Sequence, residues 1–415
     1  MKFVIFGLTI SSSWGNGHAT LWRGLCKALI RRGHQVTFFE HDVPYYAQHR
    51  DFNELPGGEL VLYTNWNELL PRGKRELANA DVGMVTSYCA DGIAASQLVL
   101  DSGAKLTTFY DLDTPVTLDA LNSGKEVTYI GERGLRDFDL VLSYTGGVAL
   151  GELEMRLGAK RVAPLYGHVD PEAHRPVATR EDWRCDLSYL GTYAEDRQAT
   201  LESLFIEPAR RLADKKFLIG GAQYPAHFPW TENVFFVQHL PPADHPAFFC
   251  SGRLTLNATR RAMAQMGYCP SGRLFEAAAC GCPLLSDTWP GLNTFFTPGK
   301  EILIANTPED AMNALQLSDA ELKQIAEAAR ERTLAEHTSE QRAMYLERVI
   351  NDALAGSESP GLQLPDYSDT ESSMPGAPAI REAGVEAIGA NHLHRTHGKN
   401  QTHPGDRVML NIVED

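Results

Sequence analysis

No apolar run approaches the roughly 18 to 20 residues that cross a bilayer, and no signal-peptide pattern precedes the strand-like opening at Lys2. The expectation is a soluble, cytoplasmic protein. Positive charge is also scarce. Lys and Arg number 38 against 53 Asp and Glu, a formal net charge of −15 over 415 residues. Such a chain lacks the broad basic face of a general nucleic-acid binder, so no nucleic-acid partner is expected. Seven cysteines spread from Cys26 to Cys282 are too few and too scattered for a disulfide framework in a chain this long. Cys280-Gly281-Cys282 is the one close spacing, and no Cys or His cluster adjoins it in sequence, so no metal site is expected. Gly15-Asn16-Gly17 lacks the third glycine of the dinucleotide fingerprint, which argues against an NAD enzyme.

What is present is a repeated β and α rhythm. Lys2 to Ile10 reads as a buried strand, Ala19 to Arg32 as an amphipathic helix and Gln35 to Phe39 as a second strand, a βαβ unit. Strands follow at Leu60 to Tyr63, Val82 to Thr86, Lys105 to Tyr110 and Leu140 to Ser143. A connector at 166–182, with Pro171 and Pro176, separates this first domain (1–165) from a second α/β series at 183–318. The second series places strands at Leu187 to Leu190, Lys216 to Ile219, Val234 to Val237, Leu254 to Asn257, Pro283 to Ser286 and Ile302 to Ile304. The fold class predicted is α/β, two Rossmann-like domains facing across a cleft. One long helical pattern covers 319–355 and packs back across both domains, and 356–415, poor in aromatics, is expected to be disordered. His392, His394, His397 and His403 fall in that tail without a ligand spacing that defines a metal site.

Three segments carry candidate chemistry. The loop Ser11 to His18 ends strand one, where open α/β sheets bind ligands, and His18 has the ordinary pKa range of a general base. Asp111 and Asp113 lie at another strand end, where alternation places both on one side, so either can orient an imidazole or meet a sugar hydroxyl; an Asx-turn before Pro115 is the plainer reading. In Gly267 to Asp287, Ser271 caps a short helix whose N-terminus, with Arg273, suits a diphosphate, and Glu276 one turn on suits the two hydroxyls of a ribose. A surface ion pair between Arg273 and Glu276 competes with that reading, against the small, buried character of Ala277 to Ala279. Arg260 and Arg261 face either phosphates or solvent, and Trp14, Trp66, Tyr88 and Trp289 either stack on a sugar or belong to the core.

These segments resemble the GT-B glycosyltransferases. Gly15 to Glu40 is similar to their amino-terminal loop and helix, and Leu254 to Ala305, with Arg273-Leu274-Phe275-Glu276 and Gly299-Lys300-Glu301, looks most like the CgeB-like, spore-maturation-protein branch. Gly191 to Arg197 stands where relatives carry a glycine opening and a phosphate-binding Lys, with Arg197 keeping the charge. The resemblance implies a nucleoside diphosphate sugar donor, UDP-type, held by Gly191, Arg197, Ser271, Arg273 and Glu276, with no cofactor and no divalent metal. Backbone groups at His239 and Leu240, after the strand Phe235 to Leu240, would receive the base. The family's pair of glutamates separated by seven residues would require an acid at Tyr268, and only Glu276 is present. His18 with Asp111 or Asp113 resembles the His and Asp of inverting members, so inversion is favoured over retention. The acceptor is not specified. A nucleotide-sugar epimerase and a catalytically silent sugar-nucleotide binder share this architecture and stay open.

Overall fold

The computed structural model describes residues 1–356, so the reading of the later tail and its histidines lies outside the described residues. The first sheet has seven strands, β1 (Lys2–Gly7), β2 (Gln35–His41), β3 (Glu59–Tyr63), β4 (Val82–Thr86), β5 (Leu106–Asp111), β6 (Leu140–Ser143) and β7 (Val162–Pro164), in the order β3-β2-β1-β4-β5-β6-β7. The second has six, β8 (Leu187–Leu190), β9 (Phe217–Gly221), β10 (Val234–Gln238), β11 (Thr255–Asn257), β12 (Leu284–Ser286) and β13 (Leu303–Ile304), in the order β10-β9-β8-β11-β12-β13. Every pairing is parallel. Parallel strands buried on both faces need apolar residues on both, and β1 supplies them: Phe3 and Ile5 enter one core, Val4 and Phe6 the other. Strand order reverses between β1 and β4 and again between β8 and β11, which opens a ligand crevice at the carboxyl edge of each sheet.

Most boundaries shift by one or two residues, and three features differ more from the sequence reading. β1 stops at Gly7 rather than Ile10, because the buried Glu40 carboxylate draws the next residues into a loop: it accepts from Ile10 N (2.8 Å), Ser11 N (3.0 Å) and the Thr9 hydroxyl (2.6 Å). β7 is an additional strand, three residues long and ending in proline, too short to show a period. The carboxyl-terminal helical pattern is two helices, Asp319–Glu336 and Ser339–Leu354, broken at His337 and Thr338. Val169 of the connector causes the break: its N–H donates to His337 O (3.0 Å) and its carbonyl accepts from Ser339 N (2.8 Å). The first of these helices packs on the second domain through Leu322 and Ala329. The second returns to the first domain, where Ala343, Leu346, Val349 and Ile350 complete the core around Trp22 and Phe38. No helix among the described residues is long and apolar enough to cross a membrane.

The domains meet at Tyr268. Its carbonyl accepts from Gly146 N (3.0 Å) of the first domain and its N–H donates to Pro290 O (2.7 Å) of the second. Its ring sits between two glycines, so that a Cβ at Gly147 or at Gly291 would lie 2.5 Å from ring carbons. Tyr268 itself holds a left-handed φ of 48°, a conformation that non-glycine residues adopt only when their surroundings enforce it. Gly147 also has a positive φ, 58°, so Gly147→Ala combines strain with a clash and should destabilise the chain by roughly 1 to 3 kcal/mol. Gly151→Ala, where a Cβ meets nothing within 4 Å, is the control and should be neutral or mildly stabilising. Urea denaturation of both variants checks this; equal stabilities would remove the wedge role of Tyr268.

Candidate functional site

The crevices of the two sheets open onto one another. A cavity of about 920 Å³ is lined by His18, Thr20 and Asp113 from the first domain and by Gly191, Arg197, Ser271, Arg273 and Glu276 from the second. A second cavity of about 470 Å³ shares Gly17, Thr20, Gly191 and Arg273 with it and extends to His239, Leu240 and His245.

On the first domain, Asn16 pins the loop by donating from Nδ2 to Thr9 O (3.1 Å) and Ser12 O (3.2 Å), while its Oδ1 accepts from His18 N (3.1 Å). His18 is therefore presented as the first residue of the helix His18–Arg31. Its Nε2 lies 3.6 Å from Asp113 Oδ2, the two side chains being 11% and 5% exposed. Asp113 precedes the helix Thr114–Asn122, whereas Asp111 ends β5, so the strand alternation expected to place them on one side does not extend to Asp113. Asp111 is not among the cavity-lining residues. Its Oδ1 accepts from Asp113 N (3.1 Å) and Thr117 Oγ1 (3.1 Å), the local turn chemistry of an Asx residue.

On the second domain, Gly191 follows β8 and its N–H donates to Gly220 O (2.9 Å). Arg197 closes a short 3-10 turn and donates from Nη1 to Thr192 O (3.2 Å), and its buried Nε has no partner among the described residues. Ser271 caps the helix Gly272–Ala279, its Oγ accepting from Arg273 N (3.3 Å). Arg273 donates from Nη1 to Glu276 Oε2 (3.0 Å), and its Nε has no hydrogen-bond partner among the described residues. Two guanidinium groups with spare donors beside a capped helix N-terminus give this wall the positive charge and N–H groups that suit an anion. Arg260, in contrast, donates from Nε to Asp196 (3.1 Å).

Glu276 is the buried anion of the site. Thr20 Oγ1 donates to its Oε1 (3.2 Å) across the cleft. Burial opposes ionisation of this carboxyl, but Arg273 and the imidazoles of His174 and His245 outweigh it and hold the group well below the usual carboxylate range. His174, His245 and the Thr20 contact were not foreseen. They come from segments far apart in the chain that share no motif, and no local signal joins them.

The rim is aromatic. His239 N–H donates to Gly221 O (2.7 Å), and its ring lies 3.8 Å from that of Trp14, which stacks on His49 at 3.9 Å. Trp14 is thus held between two imidazoles, one from each domain. Trp289 is buried in the second core and Trp66 packs against the first.

Burial pushes the Asp111 carboxyl up to about 6. The folded chain keeps this proton to higher pH than the unfolded chain, whose Asp titrates near 4, so stability falls as pH rises from about 4 to about 6 and is level above. Asp111→Asn removes this contribution and should gain roughly 2 to 3 kcal/mol on the wild type between about pH 4 and pH 7. Urea titrations at both ends of that window check it, and parallel pH dependence of the two proteins would refute it.

Residues 197–348 match the glycosyl transferase-like family. No curated protein sequence matches the chain. Among solved structures, a sucrose-phosphate synthase from Thermosynechococcus elongatus superposes with a TM-score of 0.63 at 15% identity, over 86% of this chain and 100% of that one. An alpha-glucosyltransferase in complex with UDP-glucose and DNA containing an abasic site gives 0.61 at 13% identity, over 85% and 99%. Anabaena HepE in complex with UDP-glucose gives 0.60 at 12% identity, over 85% and 100%. The family match thus covers the second domain and the start of the last helix, and over both domains the fold is that of these GT-B glycosyltransferase structures.

Proposed function

We propose that the chain transfers a sugar from a UDP-type nucleoside diphosphate sugar to a hydroxyl acceptor. One observation carries the reading: a single cavity is lined by the His18 and Asp113 pair on one wall and by Arg197, Arg273, Ser271 and Glu276 on the other. In this reading Arg197, Arg273 and the helix N-terminus at Gly272 meet the diphosphate, with no divalent ion on the phosphates, and Glu276 receives the ribose hydroxyls. Gly191 allows the backbone after β8 to approach the phosphates, and the base lies toward His239 and Leu240, beside Trp14. The UDP-glucose held by HepE and by the alpha-glucosyltransferase supports uracil as the base. Lineage within the CgeB-like branch is part of the proposal and rests on the Arg273 to Glu276 and Ala279 to Gly281 motifs.

His18 acts as general base. Asp113, 3.6 Å from Nε2, orients the ring and stabilises its protonated form once it has taken the acceptor's hydroxyl proton. The acceptor oxygen attacks the anomeric carbon as the bond to the diphosphate breaks, and the electron pair leaves on a phosphate oxygen opposite Arg197 and Arg273. Support for direct displacement with inversion comes from Tyr268: where relatives place a first glutamate, this ring fills the seam between Gly147 and Gly291.

His18→Ala should lower turnover by about 10²- to 10⁴-fold with donor affinity kept. Glu276→Ala should weaken donor binding by on the order of 10- to 100-fold. Calorimetry against UDP, dTDP, GDP and ADP, then transfer assays with a panel of hydroxyl acceptors, separates the alternatives. Donor binding without transfer or hydrolysis points to a silent binder, and an altered sugar nucleotide without acceptor to an epimerase. Equal donor affinity in Glu276→Ala and wild type would end the ribose assignment, and a product with the donor's anomeric configuration would end the inverting mechanism.

A further inference from the structure

Behind the cavity lies a three-residue cluster that the donor reading does not use as a whole. His174 comes from the connector, His245 opens the helix His245–Ser251, and Glu276 lies in the helix Gly272–Ala279. One ligand atom from each lies within 4.8 Å of the others, and all three residues are buried. His174 Nε2 is 3.8 Å from Glu276 Oε1, and His245 Nδ1 is 3.6 Å from Oε2, both beyond hydrogen-bond length. Neither nitrogen has a partner among the described residues, although the two side chains are only 4% and 5% exposed.

The tautomer of His245 follows from its other side. Nε2 sits 3.3 Å from Leu240 O, and a carbonyl can only accept, so Nε2 carries the proton. In the neutral ring Nδ1 then turns a lone pair toward a carboxylate oxygen in a buried place. Two buried imidazole nitrogens and a carboxylate, each pair too far apart to hydrogen-bond, leave a gap at their common centre that a cation bonded to all three would close. Ligands around a tetrahedral zinc ion stand about 3.4 Å from one another, given bonds of about 2.0 to 2.1 Å; here the two nitrogens meet different oxygens of one carboxylate at 3.8 and 3.6 Å, and three ligand atoms lie within 4.8 Å, so the side chains would draw together around an ion.

The geometry points to a divalent metal site formed by His174, His245 and Glu276, of the class that takes imidazole with carboxylate, zinc foremost. Two nitrogens and one carboxylate suit Zn²⁺ and its neighbours in the first transition row rather than Mg²⁺ or Ca²⁺, which take oxygen ligands. The outer support of such a site is also present. The Leu240 carbonyl orients His245, and Thr20 and Arg273 hydrogen-bond the carboxylate. Arg273 is paired with the carboxylate and is partly exposed, so it can turn toward a diphosphate instead. This ion is held by protein side chains and is distinct from a divalent ion on the phosphates, and it shares Glu276 with the donor reading. Its structural effect is to fasten the connector to the second domain at the base of the cleft.

The test uses the full chain, stripped with a chelator, and Zn²⁺ and Co²⁺ alone as probes. Calorimetry should give one tight Zn²⁺ site per chain, weakened at least about 100-fold in His174→Ala and in His245→Ala. Co²⁺ should give the visible bands of a tetrahedral nitrogen and oxygen site without thiolate charge transfer, a readout on the unaltered protein that does not depend on how the variants fold. A variant with His392, His394, His397 and His403 all changed to Ala should keep the tight site. No tight binding, thiolate bands, or loss of binding in the tail variant instead would each overturn the assignment. Nucleotide binding is measured separately, so failure of one reading does not imply failure of the other.

Discussion

The site is organised by one buried negative charge. An ionised carboxylate removed from water costs several kcal/mol unless it is paired and hydrogen-bonded, and Glu276 is fully buried. Its compensation fixes what surrounds it. Arg273 must lie one turn before it on a helix started at Ser271, Thr20 must reach it from the other domain, and His174 and His245 must converge from the connector and from a separate helix. The local fold can therefore vary little without exposing an unpaired anion. The same carboxylate joins both walls of the cleft, since the Thr20 bond is made across it.

The domains also meet where Tyr144 Oη donates to Pro270 O (2.8 Å) and where Cys269 joins the first core, and two small places carry close aromatic contact. Tyr268 is wedged between glycines at the seam, and Trp14 is layered between His49 and His239 at the rim. Neither resembles a broad apolar interface. Both depend on close approach of backbone and ring, so the domains register through shape at a few residues while the cavity between them stays open to a ligand.

The sequence was informative wherever a signal is local. Strand runs such as Phe3 to Phe6, the cap at Ser271 and the glycine-bearing loop after β1 each follow from neighbours in the chain, and each stands where it was read. Local periodicity fails where distant residues intervene. Glu40 ends β1 early because a carboxylate from β2 competes for the next N–H groups. Val169 splits the last helical pattern by taking His337 and Ser339 as partners. Asp111 and Asp113 were equivalent by alternation and separated only when the strand ended between them, which sent one carboxyl into a turn and the other toward His18. His174 and His245 carry no pattern that marks them as companions of Glu276, because their relation exists only in three dimensions.

The return of helix Ser339–Leu354 to the first domain bears on how the protein is made. Synthesis at about 5 to 20 residues per second leaves the amino-terminal sheet waiting tens of seconds for the residues that finish its core. Through that interval the surface later covered by Ala343, Leu346, Val349 and Ile350 faces water beside Trp22 and Phe38. The first domain to emerge is thus the last to close. The second domain, whose own core draws its final helix from Asp319–Glu336, can settle before it. Until the helix Ser339–Leu354 is made, the amino-terminal half carries an apolar surface with nothing of its own chain to cover it.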